Sequence, residues 1–142
     1  MKRVSPQEAH DLIHKEGYVY VDVRSVPEFE AGHPESAFNV PLLHMGPAGM
    51  NPNPEFLSVM EKSFAKDAKL VVGCKAGGRS MRAVSLLESA GFGSIVDLHA
   101  GFDGAPDATG RIVEPGWRPS GLPISTDASP DHTWDALKAK AR

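Results

Sequence analysis

The residue best suited to covalent chemistry in this chain is Cys74, the only cysteine among 142 residues. An apolar run at positions 69–73 precedes it and predicts a buried strand, and a helical pattern begins near Arg79 or Ser80. The first backbone N–H groups of a helix have no intrahelical partner and favour a negative charge. A thiol between such a strand and such a helix is therefore expected to be held as a nucleophilic thiolate.

The residues after Cys74 have the composition of an anion-binding loop. Gly77 and Gly78 allow the backbone to curl so that successive N–H groups point inward, and Lys75 and Arg79 add positive charge at the rim. A buried cysteine before an ordinary turn would explain the thiol, but not the paired glycines with flanking cations. Cys74 is therefore the predicted catalytic residue. The predicted substrate-binding residues are Lys75, Ala76, Gly77, Gly78, Arg79 and Ser80.

The length of this loop limits the reactions that it can support. Arg79 follows Cys74 in a Cys-x4-Arg spacing, whereas cysteine phosphatases use Cys-x5-Arg to surround a phosphate group. A shorter loop encloses a smaller volume, which suits a single sulfur atom bound to the thiolate. A small phosphatase or arsenate reductase is therefore disfavoured, although spacing alone leaves that alternative open.

The elements that must position the loop alternate between helix and strand. Helices are predicted over residues 5–17, 55–66 and 80–90. Strands are predicted over residues 18–24, 69–73 and 94–98, with the near-continuous apolarity of strands covered on both faces. Residues 46–54 and 99–123 are rich in glycine and proline and predict loops. The alternation indicates an α/β fold with a mainly parallel sheet.

The composition is that of an ordinary globular domain. Hydrophobic residues make up 41% and charged residues 23% of the chain, and the net charge is −3. With no basic run and no long apolar stretch, neither nucleic acid nor a membrane is an expected partner. The first residues contain no signal-peptide core, so a cytoplasmic location is expected. One cysteine excludes an internal disulfide and is too few for a cysteine-rich metal site.

Three separated motifs resemble those of the rhodanese-like single-domain sulfurtransferases. The cysteine loop has the Cys-x-x-Gly-x-Arg pattern of that family's active loop. Upstream, the similar segments are Asp22-Val23-Arg24, Glu28-Phe29, Gly32-His33 and Ala37-Phe38-Asn39-Val40-Pro41. Downstream, they are Ala100-Gly101-Phe102 and Trp117-Arg118-Pro119-Ser120-Gly121-Leu122-Pro123. The resemblance covers residues 4–123, nearly the whole chain.

The resemblance implies a three-layer α/β/α fold with a central, mainly parallel sheet in a domain at residues 1–125. It also implies a ping-pong reaction without a cofactor or metal. Cys74 would take sulfane sulfur from a small anionic donor such as thiosulfate, and the persulfide would pass it to cyanide or a thiol. The C-terminal tail at residues 126–142 is expected to be loosely packed, with a short helix near residues 134–138.

Several residues have both a functional and a structural interpretation. Lys75 is expected to attract the donor, whereas Arg79 either orients it or pairs with a carboxylate such as Asp22 or Glu28. Asp22 and Arg24 are predicted to support the loop as an ion pair at a strand end. His10 and His14 have zinc-ligand spacing, but no third ligand is apparent, so a solvated helix face is favoured.

The sequence departs from the family at two places. Pro34 and Ser36 are expected to change a surface turn and to leave the cysteine loop intact. Residues 103–116 are an insertion, which is expected to reshape access to Cys74 and so to affect the choice of substrate. An alternative function is a sulfur-carrier or binding module that acts on a protein sulfur acceptor with little turnover of small donors.

Overall fold

The computed structural model describes residues 1–141 and contains, within them, eleven strands and five helices. The strands are β1 (Lys2–Val4), β2 (Val19–Asp22), β3 (His33–Pro34), β4 (Phe38–Asn39), β5 (Leu43–Gly46), β6 (Gly49–Pro52), β7 (Leu70–Gly73), β8 (Ile95–Leu98), β9 (Gly104–Pro106), β10 (Ile112–Pro115) and β11 (Ile124–Ser125). The helices are α1 (Pro6–Glu16), α2 (Val26–Glu30), α3 (Phe56–Ser63), α4 (Gly78–Ser89) and α5 (Trp134–Lys140).

A five-stranded parallel sheet in the order β1-β8-β7-β2-β4 forms the centre of the fold. Successive side chains of a strand point to opposite faces. In β7, Val72 therefore packs with α3, α4 and α5, whereas Val71 packs with α1 and with Trp117 on the other face. The predicted three-layer α/β/α architecture is confirmed, and β7, which leads into Cys74, lies at its centre.

The N-terminal helix begins and ends where the sequence predicts. The Ser5 hydroxyl accepts from the Glu8 N–H and the Glu8 carboxylate accepts from the Ser5 N–H, which together form a capping box. Gly17 ends α1 in the left-handed conformation. Strand β1, by contrast, was not predicted, because three residues carry too little periodicity and its partner β8 lies far along the chain.

Both segments predicted as loops contain antiparallel hairpins, which corrects those predictions. Strands β5 and β6 pair within the first segment and just before it, and β9 and β10 pair within the insertion at residues 103–116. Glycine and proline conceal these strands because their pairing depends on cross-strand contacts that local composition does not report. The insertion is thus a folded hairpin.

The C-terminal helix α5 is packed against the core, so the expectation of a loosely packed tail is wrong for this element. Trp134 and Leu137 are buried among core residues that include Phe56 and Val59 of α3. Within the described part of the chain, no helix combines the length and apolarity needed to cross a membrane.

Candidate active site

The loop between β7 and α4 surrounds the sulfur atom of Cys74. Cys74 is only 1% exposed, and its Sγ accepts a hydrogen bond from the Gly77 backbone N–H at 3.1 Å. Gly77 caps α4 with φ at +99°, and a Cβ there would lie 2.4 Å from the His99 carbonyl oxygen. Glycine is therefore required at this position both for the backbone angle and for the space.

Ser80 adds a hydroxyl to the environment of the sulfur. Its Oγ accepts from the Cys74 thiol at 3.5 Å and donates to the Gly77 carbonyl oxygen at 3.3 Å, and the side chain is fully buried. Ser80 lies in the first turn of α4, whose backbone N–H groups lack intrahelical partners. The sulfur is thus close to a backbone donor, a hydroxyl group and the positive end of a helix.

The segment after β8 supports the loop from behind. The Phe102 N–H donates to the Cys74 carbonyl oxygen at 2.7 Å, and the Asp103 N–H donates to the Lys75 carbonyl oxygen at 3.0 Å. Gly101, at φ +69°, lies so close that a Cβ there would be 2.5 Å from the Lys75 carbonyl oxygen. These contacts fix the backbone on which the thiol is carried.

Arg79 is held by a carboxylate. Its guanidinium donates to both oxygens of Glu28 at 2.6 and 2.9 Å, and Ser25 donates to Glu28 at 2.8 Å. Although partial burial of Glu28 opposes its ionisation, the hydrogen bonds from Arg79 and Ser25 lower its pKa to about 2. Arg79 therefore connects α4 to α2, which agrees with the loop-bracing interpretation of this residue.

Asp22 and Arg24 form the predicted ion pair at the end of β2. The Arg24 guanidinium donates to the Asp22 carboxylate at 2.7 Å and to the Gly32 carbonyl oxygen at 2.7 Å. It also lies over the Phe102 ring, 4.3 Å from the centroid. Both charged side chains are buried. This pair therefore connects β2 to the same segment that supports the cysteine loop.

A cleft of about 360 Å³ opens beside the loop. Lys75 lines it together with Arg24, Phe102, Asp103 and Arg118. The loop residues predicted to bind substrate differ in exposure: Gly77 and Ser80 are buried inside the loop, Arg79 is half-buried, and the exposed ones at the rim are Lys75, Ala76 and Gly78. The cleft is large enough for a small anion, and the insertion contributes Asp103 to its wall.

Two supporting interactions were missed by sequence reasoning. Asp97 of β8 is fully buried and pairs with Arg3 at 2.7 Å, close to Gly77. His99 pairs with Glu114 of β10 at 2.6 Å, which ties the insertion to the end of β8. Neither pair can be recognised from neighbouring residues in the sequence. The Arg3–Asp97 pair depends on strand β1 and the His99–Glu114 pair depends on the hairpin of β9 and β10, and neither element was predicted.

His10, His14 and His33 each pack against another ring. His33 is buried and stacks on Phe29, with the ring centroids 3.8 Å apart. The rings of His10 and His14 lie 4.2 Å apart, and His10 also approaches Trp117. Over residues 1–141, no three His, Cys, Asp or Glu side chains are grouped so that they could hold a metal ion.

The protein is an α/β protein with a cysteine loop at the carboxyl end of the central strand of a parallel sheet. A helix begins directly after this loop. The chain belongs to the family of the Rhodanese-like domain, whose family model matches residues 5–105. The family inferred from the sequence motifs is thereby confirmed.

Relatives and solved structures agree with this assignment. The chain is 40% identical over 120 residues to "Thiosulfate sulfurtransferase 16, chloroplastic" of Arabidopsis thaliana, covering 84% of this chain and 89% of that protein. It is 40% identical over 86 residues to the senescence-associated protein DIN1 of Raphanus sativus, covering 61% of this chain and 47% of that protein. The crystal structure of Rv0390 from M. tuberculosis superposes with a TM-score of 0.73 at 26% identity, covering 89% of this chain and 98% of that one.

Proposed function

We propose that this protein is a thiosulfate sulfurtransferase in which Cys74 carries sulfur as a persulfide. The observation that supports this most directly is the enclosure of Cys74 Sγ by the glycine loop, with the Gly77 N–H donating to it at 3.1 Å. The Arabidopsis relative named as a thiosulfate sulfurtransferase matches most of both chains, which favours the same reaction here.

In the first step, the Cys74 thiolate attacks the outer sulfur of thiosulfate. A new S–S bond forms to Cys74, and the sulfur–sulfur bond of thiosulfate breaks with its electron pair leaving on sulfite. The product is the Cys74 persulfide anion, whose outer sulfur lies about 2 Å beyond Sγ. No external oxidant or reductant is needed, because the two electrons of the broken bond depart with sulfite.

In the second step, a nucleophilic acceptor removes the outer sulfur. Cyanide attacks that sulfur, the persulfide bond breaks, and the electron pair returns to Cys74 as thiolate while thiocyanate leaves. A thiol acceptor reacts in the same way and becomes a persulfide itself. Since Cys74 is the only cysteine in the chain, an internal disulfide has no second thiol, and the sulfur must leave to an external acceptor.

The loop supports both steps by stabilising negative charge on sulfur. The Gly77 N–H and the N-terminus of α4 act on the thiolate and on the persulfide alike. The Ser80 hydroxyl, which accepts from the thiol and donates to the Gly77 carbonyl oxygen, would turn to donate to the sulfur once the thiol is ionised. Arg79 is occupied by Glu28, whereas Lys75 is exposed and forms no ion pair within residues 1–141. Lys75 is therefore the better candidate for attracting the anionic donor.

The decisive experiment measures the intact mass of the protein after incubation with thiosulfate, and again after cyanide. Wild type should gain the mass of one sulfur atom and lose it as thiocyanate, and Cys74→Ser should gain nothing. Failure of wild type to gain sulfur from thiosulfate would refute the proposed donor. If the sulfur loads but passes poorly to cyanide and small thiols, a carrier acting on a protein acceptor would replace the enzyme proposal. Turnover of an aryl phosphate would instead favour a phosphatase.

A further inference from the structure

A second cavity lies between α2, β3 and the segment that leads into α5, and it shares Thr126 with the cleft beside the cysteine loop. Its volume is about 340 Å³, and its wall includes Glu30, His33, Asn39 and Asp127. This volume lies within the range of cavities that bind small molecules. None of the residues of this wall takes part in the chemistry proposed for Cys74.

His33 presents a hydrogen-bond acceptor in this wall. The residue is 2% exposed, and its Nδ1 lies 2.8 Å from the Phe29 carbonyl oxygen. Since a carbonyl oxygen only accepts, Nδ1 carries a proton, and in the tautomer that holds this proton alone Nε2 is a hydrogen-bond acceptor. Within residues 1–141, no hydrogen bond involves Nε2, and His33 lines the cavity, so this nitrogen is the ring atom proposed to contact a ligand there.

Asn39 presents a second acceptor by the same argument. The residue is 1% exposed, and its Nδ2 donates at 3.0 Å to the carbonyl oxygens of both Asp22 and Arg24. These two carbonyl oxygens fix the orientation of the amide and use both of its protons. The Asn39 Oδ1 therefore remains as an acceptor without a donor among the described residues.

The charge of the cavity is negative. Glu30, Asp127 and Asp135 line its rim, and among the described lining residues none is lysine or arginine. Asp135 lies 3.9 Å from Lys138, so its charge is partly balanced. Glu30 and Asp127 have no ion-pair partner within residues 1–141. The wall therefore combines acceptors on two buried residues, His33 and Asn39, with the unpaired carboxylates of Glu30 and Asp127. A positively charged ligand rich in N–H donors would complement this combination.

We propose that this cavity binds a guanidinium group, either of a small free cation or of an arginine side chain. Guanidinium is planar, permanently charged and carries five N–H donors with no acceptor, which complements a wall of acceptors and carboxylates. The His33 Nε2 and the Asn39 Oδ1 would accept from the buried edge of the group, and Glu30 and Asp127 would balance its charge at the rim.

The test is a titration of the full chain followed by NMR, with n-butylguanidinium as the probe and n-butylurea as its neutral counterpart. We expect the cation to cause saturable shifts of the backbone amide of Asp127 and of the His33 Nε2 resonance, and the urea to cause neither. The double variant Glu30→Gln/Asp127→Asn should weaken binding about fivefold, the combined effect of two exposed charges. Both changes lie at the rim, so the fold is retained.

The matched control is the double variant Asp67→Asn/Glu88→Gln, which makes the same charge change on exposed side chains outside the cavity and should bind like wild type. Absence of saturable shifts at millimolar probe would overturn the proposal, as would equal binding of the urea or unchanged binding by the rim variant. Comparison of agmatine with acetyl-arginine methylamide then distinguishes a free cation from an arginine side chain as the source. Cys74→Ser should bind the probe normally, because this site does not depend on sulfur transfer.

Discussion

The Phe102 N–H donates to the carbonyl oxygen of Cys74 at 2.7 Å, so the segment that closes the fold is bonded directly to the residue proposed to carry sulfur. The adjacent Gly101 makes this contact possible, since any side chain there would meet the carbonyl groups of Cys74 and Lys75. The position of the thiol therefore depends on a segment well beyond α4 as well as on its own loop.

Replacement of Gly101 should disturb the loop specifically. Gly101→Ala places a Cβ 2.5 Å from the Lys75 carbonyl oxygen at a φ of +69°, and we expect it to cost about 3 kcal/mol of unfolding free energy and to slow sulfur loading. Gly121→Ala is the matched control, because Gly121 has a similar φ of +76° with nothing within 4 Å. The control should cost about 1 kcal/mol and leave loading unchanged. Urea unfolding and the rate of mass gain provide the measurements, and equal effects of the two variants would contradict the packing argument.

The Glu28–Arg79 pair should make stability depend on pH at the acidic end. Because the pKa of Glu28 falls from 4.5 to about 2 on folding, its contribution is complete above pH 4.5 and is lost as the pH falls toward 2. Glu28→Gln should lower stability at pH 7 by about 2 kcal/mol and reduce the loss between pH 4.5 and 2. Urea unfolding at several pH values tests this. The control is Glu35→Gln, an exposed site outside any ion pair in residues 1–141, which should retain the wild-type dependence of stability on pH. If Glu28→Gln also retained the wild-type dependence, the contribution assigned to the Glu28–Arg79 pair would be refuted.

Ser80 should act on the charge of the sulfur more than on the fold. Ser80→Ala removes the hydroxyl 3.5 Å from Cys74 Sγ, and we expect sulfur loading to slow about tenfold with a stability loss of about 1 kcal/mol. Ser85→Ala, an exposed serine on the same helix, should alter neither quantity. The loading rate as a function of pH distinguishes an electrostatic role from loss of packing, since only the former moves the profile. A wild-type rate for Ser80→Ala would exclude this role.

Lys75 should influence binding of the donor without affecting the loop. Lys75→Gln is expected to raise the KM for thiosulfate several-fold with little change in kcat, and to weaken the dependence of kcat/KM on salt. The control is Lys15→Gln, in the last turn of α1, which should retain wild-type kinetics. Steady-state rates at low and high ionic strength test the prediction, and an unchanged KM for Lys75→Gln would contradict it.

Helix α5 should contribute strongly to stability. Trp134 is 5% exposed and packs in the main core, so Trp134→Ala should cost about 4 kcal/mol. Met81→Ala, at a position 42% exposed, should change stability by less than about 0.5 kcal/mol. Chemical denaturation of both variants provides the comparison. A small effect at Trp134 would contradict the expectation that α5 stabilises the core.

Residue patterns over one or two turns of chain predicted the elements that depend on neighbouring residues. The capping box at Ser5, the strand before Cys74 and the helix after Gly77 each follow from residue types within one or two turns, and each is present. The two hairpins were not predicted because their strands are defined by partners and contain glycine and proline. The boundary at residue 125 and the cytoplasmic location remain predictions.

In the site too, features set by neighbouring residues could be predicted, whereas features set by distant contacts could not. Cys74, its loop and the Asp22–Arg24 pair could be identified from sequence motifs, and the choice of Glu28 as the partner of Arg79 could only be narrowed to two carboxylates. The contacts of Gly101 with the loop and the Arg3–Asp97 pair required the three-dimensional arrangement. In the latter, 94 positions separate the two residues, a distance over which composition and periodicity carry no information.

The bond between Phe102 and Cys74 also has a consequence for biosynthesis. A growing chain presents Cys74 and its glycines before the ribosome has added the residues that hold them in place. Until residues 101–103 have emerged and docked, the thiol is carried on a loop that lacks its backing hydrogen bonds. Final positioning of the loop that encloses the thiol is therefore coupled to synthesis and docking of residues 101–103.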